Sequence, residues 1–555
     1  MKRLILLGLL VSSFVWAQPQ PHNFSFSQIK RIPIQNGGRL KPLDSFAREW
    51  VLGITGSRTF KGFDSVDLIL SWISFPNEWE KEPFIRINRK DVKKQLLLSE
   101  DRKYFSPQEL THNAAFLQYA DQIASEMGGQ GVKKAQVTKT GVKEDGRQRE
   151  LKTVLGRLTS FRRVTSGEVW TLVPDPQKWK SIADSSSAPE IEKSFKSLIR
   201  AYVASEKDAF SQAAVLLKGA VEGKMKTQGA DIQTVQSRAG LETLSNEIRF
   251  FQKAWSLYLL AGLCFLMMWV SQRKRWKVLA WGLVSLGFVF HVLGFGIRVF
   301  LTQRAPVTNM YESIVWVSFG VMVFAFILYR LQKKKILMTT ACFLSALALI
   351  AADANPTMLN PGLDPLVPVL RSNFWLTIHV LTITLGYAAF ALTYGLANIN
   401  LFHFLAAALK AKKEKVKPKV SPKMADLNQL TYRAMQFGVV LLAAGTILGG
   451  VWADYSWGRF WGWDPKEVWA LIALLCYLAI LHGRYAGWVR PFGFAAWSVL
   501  GFTSVVMAWY GVNFVLGVGL HSYGFASGGM EWVATAVLIQ IILVLLVSFF
   551  HKRAS

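Results

Sequence analysis

About nine apolar runs between Ala254 and Phe550 constrain this chain more than any other feature. Each approaches the roughly 20 residues a helix needs to cross a bilayer. They are Ala254–Val270, Val278–Phe300, Tyr311–Tyr329, Ile336–Ala352, Phe374–Leu405, Ala434–Val451, Val468–Leu481, Phe492–Tyr510 and Trp532–Phe550. The fifth is long enough to tilt or project, and the seventh is short unless its helix begins earlier. Every second connection is basic: Arg273 to Lys277, Arg330 with Lys333 to Lys335, Lys410 to Lys423, Arg484 with Arg490, then Lys552 and Arg553. The intervening connections, 301–310, 353–373, 452–467 and 511–531, are poorer in Lys and Arg. Cytoplasmic connections carry the positive excess, so this alternation sets an orientation. A net charge of +28 would otherwise suggest nucleic acid. Short charge clusters between apolar runs argue for membrane topology instead, and the Lys-rich stretches before Phe250 read as solvated surface.

The sequence therefore predicts a mainly α, polytopic membrane helix bundle of about nine spans at 251–555, behind an extracytoplasmic α+β domain at 18–250. Residues 1–17 read as a cleaved signal peptide: Lys2 and Arg3 supply the positive start, Leu4 to Trp16 the apolar core, Ala17 the small residue at the cut. In the soluble part, Asn36-Gly37 between Ile32-Pro33-Ile34 and Leu40 predicts a hairpin turn. Ala114–Met127 and Ile191–Val221 have helical periodicity, Gly128–Gln148 reads as a polar excursion, and Leu241–Phe251 as a helix feeding the first span. The three cysteines, Cys264, Cys342 and Cys476, lie inside apolar runs without a Cys-x-x-Cys pair and read as packing residues.

The strongest local signal is Trp452 to Trp469, with five tryptophans, Tyr455 and Phe460. The topology places it at an external membrane surface. One reading is an interfacial aromatic belt. The other is a platform for a flat apolar ligand, with Gly458 and Gly462 allowing close approach. Of the eight histidines, five fall in or beside spans: His291, His379, His403, His482 and His521. Imidazole inside a membrane tends to mark function. His379 lies near the external end of the fifth span and His521 in the external connection before the last. Two imidazoles and an aromatic surface on one face are what a six-coordinate haem needs. His482 closes the seventh span at its cytoplasmic end and cannot share that iron.

These segments resemble the tryptophan-rich (WWD) signature of the CcsA/ResC family, the System II cytochrome c synthases of the haem-handling superfamily. Pro306 to Ser313, Leu481 to Arg484 and Gly519 to Gly524 also fit, so the resemblance covers most of Val278 to Phe550. Ile34 to Asp44 is similar to a stretch upstream of the CcsA part in some fused proteins. The resemblance implies that His379 and His521 ligate external haem iron and that His482 belongs to an inner haem site. The second inner histidine would come from a CcsB/ResB-like partner, with His291 or His403 as a substitute.

The implied function is cytochrome c biogenesis in the bacterial inner membrane. Haem b would be held at the external face for thioether attachment to the Cys-x-x-Cys-His segment of an apocytochrome c. No residue reads as a catalytic nucleophile or base; the contribution is positioning by His379, His521, Trp452, Trp457, Trp461 and Trp463. Arg459 and Lys466 are candidates for haem propionates, and Asp464 sits in the same segment, as a ligand contact or, with Glu467, as an ion-pair or helix-cap residue. Alternatives are a CcmF- or CcmC-type lyase component and a haem exporter without ligation activity. A b-type electron-transfer cytochrome would carry paired histidines at fixed helical spacing, which this chain lacks.

Overall fold

The computed structural model describes residues 19–128, 146–271, 273–365, 373–516 and 529–554. The chain divides into two compact units, Met1–Thr243 and Leu244–Ser555. The leader read at 1–17 lies outside the described residues, as does most of the 128–148 excursion; its last residues, Gly146 to Gln148, open the helix Gly146–Thr165.

Helices dominate the first unit, joined by two small antiparallel sheets. Strands β1 (Pro33–Asn36) and β2 (Arg39–Pro42) pair with Asn36 opposite Arg39. The expected hairpin is present, but its turn is Gly37-Gly38, one residue later than read. These glycines have φ of 60° and 79°, the two left-handed conformations a two-residue turn needs to match strand twist. Strands β3 (Ile85–Arg86) and β4 (Tyr104–Phe105) form the second sheet. The core centres on Trp72, Trp79, Phe84 and Phe161, packed mostly edge to face. Buried Asp67 accepts from the Tyr202 hydroxyl at 2.6 Å and from the His22 backbone N–H at 3.0 Å. Burial and the Asp67 carboxylate raise the Tyr202 hydroxyl pKa above its ordinary value. The helical periodicity over 191–221 is carried by two helices, Pro189–Val203 and Lys207–Thr227, with Ser205 at φ 57° between them.

The second unit contains the membrane spans. Among the described residues, nine helices are long and apolar enough to cross a bilayer, so the protein is a multi-pass membrane protein. They are α1 (Phe250–Val270), α2 (Lys274–Thr302), α3 (Met310–Gln332), α4 (Lys335–Ala354), α5 (Asn373–Glu414), α6 (Pro422–Trp457), α7 (Pro465–Tyr485), α8 (Pro491–Val506) and α9 (Met530–Ala554). The helix Ile232–Ile248 reaches α1 through Arg249, whose φ of 55° breaks the continuity expected over 241–251. At 42 residues, α5 is about 63 Å long, about twice the hydrocarbon thickness. Helix α6 extends well beyond the run read at Ala434–Val451 and includes Trp452 to Trp457. Helix α8 continues as a π-helix over Met507–Leu516.

Helices α1, α2 and α4 pack together, and α3 joins α4 to α5. The most extensive pairing is α5 with α6. Water gives helices no hydrophobic reason to associate inside lipid, so close backbone approach at small residues matters more. A Cβ on Gly445 would lie 2.7 Å from the Ile383 Cα, and one on Gly386 3.0 Å from the Leu442 nitrogen. Helix α7 packs on α6 and α8. Asn400 donates to Asn428 Oδ1 at 2.9 Å, and Asn428 to the Pro491 carbonyl at 3.2 Å, tying α5, α6 and the start of α8. Cys264 and Cys342 are buried; Cys476 is only half-buried.

Candidate functional site

A cavity opens where α3, α5 and α7 begin and α6 ends. The basic turns at 333–335 and 410–423 lie at the opposite ends of these helices. Val307, Met310, His379, Ile383, Thr446, Gly449, Gly450, Trp452, Phe460, Trp461, Lys466 and Trp509 are among its walls. Its empty volume is about 1260 Å³, part of it open to the outside, and its lining is largely apolar and aromatic, as in cofactor sites.

His379 is the only histidine among the described lining residues. Its Nδ1 lies 2.7 Å from the Gly445 carbonyl oxygen. A carbonyl only accepts, so Nδ1 carries the proton and donates, and the lone pair of the neutral ring belongs to Nε2. Metal-ligating histidines are held in this way, by a hydrogen bond from the other ring nitrogen. Gly449 makes room for the ring: a Cβ there would lie 2.6 Å from His379 Cε1. The Trp452 indole runs parallel to the imidazole, 9° between planes and 6.2 Å between centroids. Trp452 is buried, and Trp457 packs against it edge-on at 4.7 Å.

The tryptophan segment is half helix and half turn. Gly458, at φ 71°, ends α6 as its C-cap. Gly462 has a different role from the close ligand approach expected of it. A Cβ there would fall onto the Arg459 guanidinium, and its N–H donates to Glu467 at 2.8 Å. Arg459 donates to Glu467 at 3.3 Å and lies over the Trp457 ring, so it is engaged within the turn. Asp464 is the N-cap of α7 in a reciprocal box with Glu467. Trp461 lines the cavity, whereas Trp463, at φ 57°, is exposed and packs edge-on against Trp461.

Glu312, buried in the first turn of α3, lies between the lining residues Met310 and Ser313 in the sequence. Glu312 accepts from Arg298 at 2.9 Å, from Arg304 at 3.0 Å, and from the Thr308 N–H and hydroxyl. Arg298 also donates to Pro361 O and Arg304 to Asp364 O. One carboxylate thus fixes the connections on both sides of α3 and α4. The motif Pro306 to Ser313 was visible in the sequence, but its partners, two arginines and a distant loop, were not.

Residues 307–521 match the family described as cytochrome C assembly protein. The cytochrome c biogenesis protein CcsA of Prochlorococcus marinus (strain NATL2A) is 33% identical over 270 residues, which are 44% of this chain and 84% of that protein. This chain belongs to the CcsA family of cytochrome c biogenesis proteins. Protein NrfI of Wolinella succinogenes is 29% identical over 510 residues, 88% of this chain and 53% of NrfI. The chain thus spans about half the length of that relative. Among solved structures, the cytochrome c heme lyase CcmF is 15% identical with a TM-score of 0.36, covering 55% of this chain and 50% of that one.

Two other candidate histidines, His482 and His291, are not among the described lining residues. His521 lies outside the described residues. His482 is exposed near the far end of α7, with Nδ1 2.8 Å from the Leu478 carbonyl. His291 is fully buried between α1, α2 and α3: its Nε2 donates to Val315 O at 3.1 Å and Nδ1 accepts from the Tyr258 hydroxyl at 3.2 Å. Both nitrogens are committed to packing. Sequence reasoning missed Gly449 and Gly450, whose neighbours depend on which helices touch.

Proposed function

We propose that this CcsA-family protein binds haem b in the cavity and presents it at the external face of the inner membrane for attachment to apocytochrome c. His379 held by the Gly445 carbonyl, at the wall of an aromatic cavity, carries this reading. The residues fit the group: an imidazole nitrogen for iron, indole faces for the porphyrin, and glycines that let His379 and Phe460 seat in the wall. His521 is the proposed second ligand. Haem supplies the vinyl groups; each cysteine thiol of the client adds across one vinyl double bond, its proton going to the carbon not bound by sulfur. The protein's own contribution is orientation and exclusion of water. His482, exposed on α7, is proposed to form an inner haem site with a histidine of a CcsB-like partner.

The test is the absorbance spectrum of the full chain purified with that partner. Low-spin b-type haem with two histidine ligands is expected. His379→Ala should lower occupancy, and added imidazole should partly restore it. Unchanged spectra and occupancy in the His379→Ala/His521→Ala double variant would overturn the site.

A further inference from the structure

The cavity wall facing α5 and α6 is irregular. Over Met507–Leu516 the helix winds as π, a rare form concentrated at functional places. Trp509 and Asn513 of this segment both line the cavity. The indole nitrogen of Trp509 is buried with no hydrogen-bond partner, an arrangement that costs stability unless a ligand accepts a hydrogen bond from it. Lys466, in the first turn of α7, donates from Nζ to the Trp509 carbonyl at a long 3.4 Å. Asn513 donates to the same carbonyl at 3.3 Å, so the lysine and the π segment converge on one point.

Among the described residues the Lys466 ammonium makes no ion pair. The carboxylates of this turn are engaged in the cap of α7: Glu467 by Arg459 and the N–H groups of Gly462 and Asp464, and Asp464, the charge nearest in effect to Lys466, by the Lys466 backbone N–H. An ammonium and an indole N–H at the edge of an apolar space make a site for an anion that accepts two hydrogen bonds. A porphyrin carries such anions as its propionate carboxylates. We propose that Lys466 and Trp509, held together through the Trp509 carbonyl and Asn513, form a corner that binds one haem propionate and so fixes the in-plane rotation of the ring. This rests on the reading that the cavity holds haem.

The experiment compares haem b with its dimethyl ester, in which both carboxylates are blocked, on the full chain in detergent. The free acid should bind about tenfold tighter or more, because a charge-assisted bond is worth that ratio. Lys466→Gln should reduce the preference to about twofold by the same argument while leaving the histidine-ligated absorbance unchanged. Lys466→Arg should keep the preference, and Trp509→Phe should weaken it. Equal binding of acid and ester by the wild type, or a preference retained in Lys466→Gln, would overturn the corner while leaving the haem site standing. Failure of the wild type to bind either compound with a histidine-ligated spectrum would overturn the haem reading and the corner with it.

Discussion

A single missing methyl group positions His379. The ring sits against Gly449 so closely that a Cβ would lie 2.6 Å from Cε1 and 2.8 Å from Nδ1. Gly449→Ala should therefore push the imidazole off the Gly445 carbonyl, at a cost of about 1–3 kcal/mol for overpacking. Its haem occupancy should fall toward that of His379→Ala. Gly458→Ala is the natural control. The strain of a left-handed cap costs about 1–2 kcal/mol, yet Gly458 is remote from the ring, so the melting temperature should drop with occupancy retained. Normal haem content in Gly449→Ala would show that His379 does not hold iron. Neither glycine role could be assigned from the sequence, where both stand in an aromatic, glycine-rich stretch. The cap needs the helix end, and the ring contact needs to be known as an α5–α6 contact.

At the scale of elements, the spans were legible because bilayer thickness imposes a length that any apolar run must meet. Boundaries were less so. The polar residues Asp454 and Ser456 ended the sixth apolar run, yet nothing before Gly458 ends its helix. The π segment has no sequence period of its own: Met507 to Tyr510 were read as the tail of an ordinary span and Gly511 to Leu516 as part of the following connection. The Glu312 cluster is also an element-scale device, since it joins the start of α3 to the 355–365 connection. Replacing Glu312 with Gln would leave two arginines, both largely buried, without their carboxylate. Breaking one side of a buried pair typically costs 3–5 kcal/mol. Glu312→Gln should melt several degrees lower and become more sensitive to protease in the 303–309 and 355–365 connections. Limited proteolysis followed by mass spectrometry reads this directly, and wild-type resistance would show that the cluster does not hold these connections.

For the whole molecule, the sequence argument that His379 and the tryptophan segment share one face came from counting spans, and both line one cavity. Which side of the membrane that face meets is a separate proposal, resting on the basic turns. A cysteine at Asp454, in the exposed last turn of α6, should react in intact cells with an impermeant thiol reagent. One at Lys417, in the basic connection before α6, should react only after permeabilisation. The opposite pattern would invert the topology. Cys264 and Cys342, both buried, should contribute little background.

The glycine contacts between α5 and α6 also set how the cavity is walled. With backbones nearly touching at Gly386 and Gly445, the two helices are locked side by side, and that contact sets the spacing between His379 and Trp452. Glu312 pins the connection on another side. The third wall is built differently: α7 starts there and α8 loses its regular winding. The cavity therefore has one wall locked by close backbone packing and one of irregular winding, and bulk added at the first has nowhere to go.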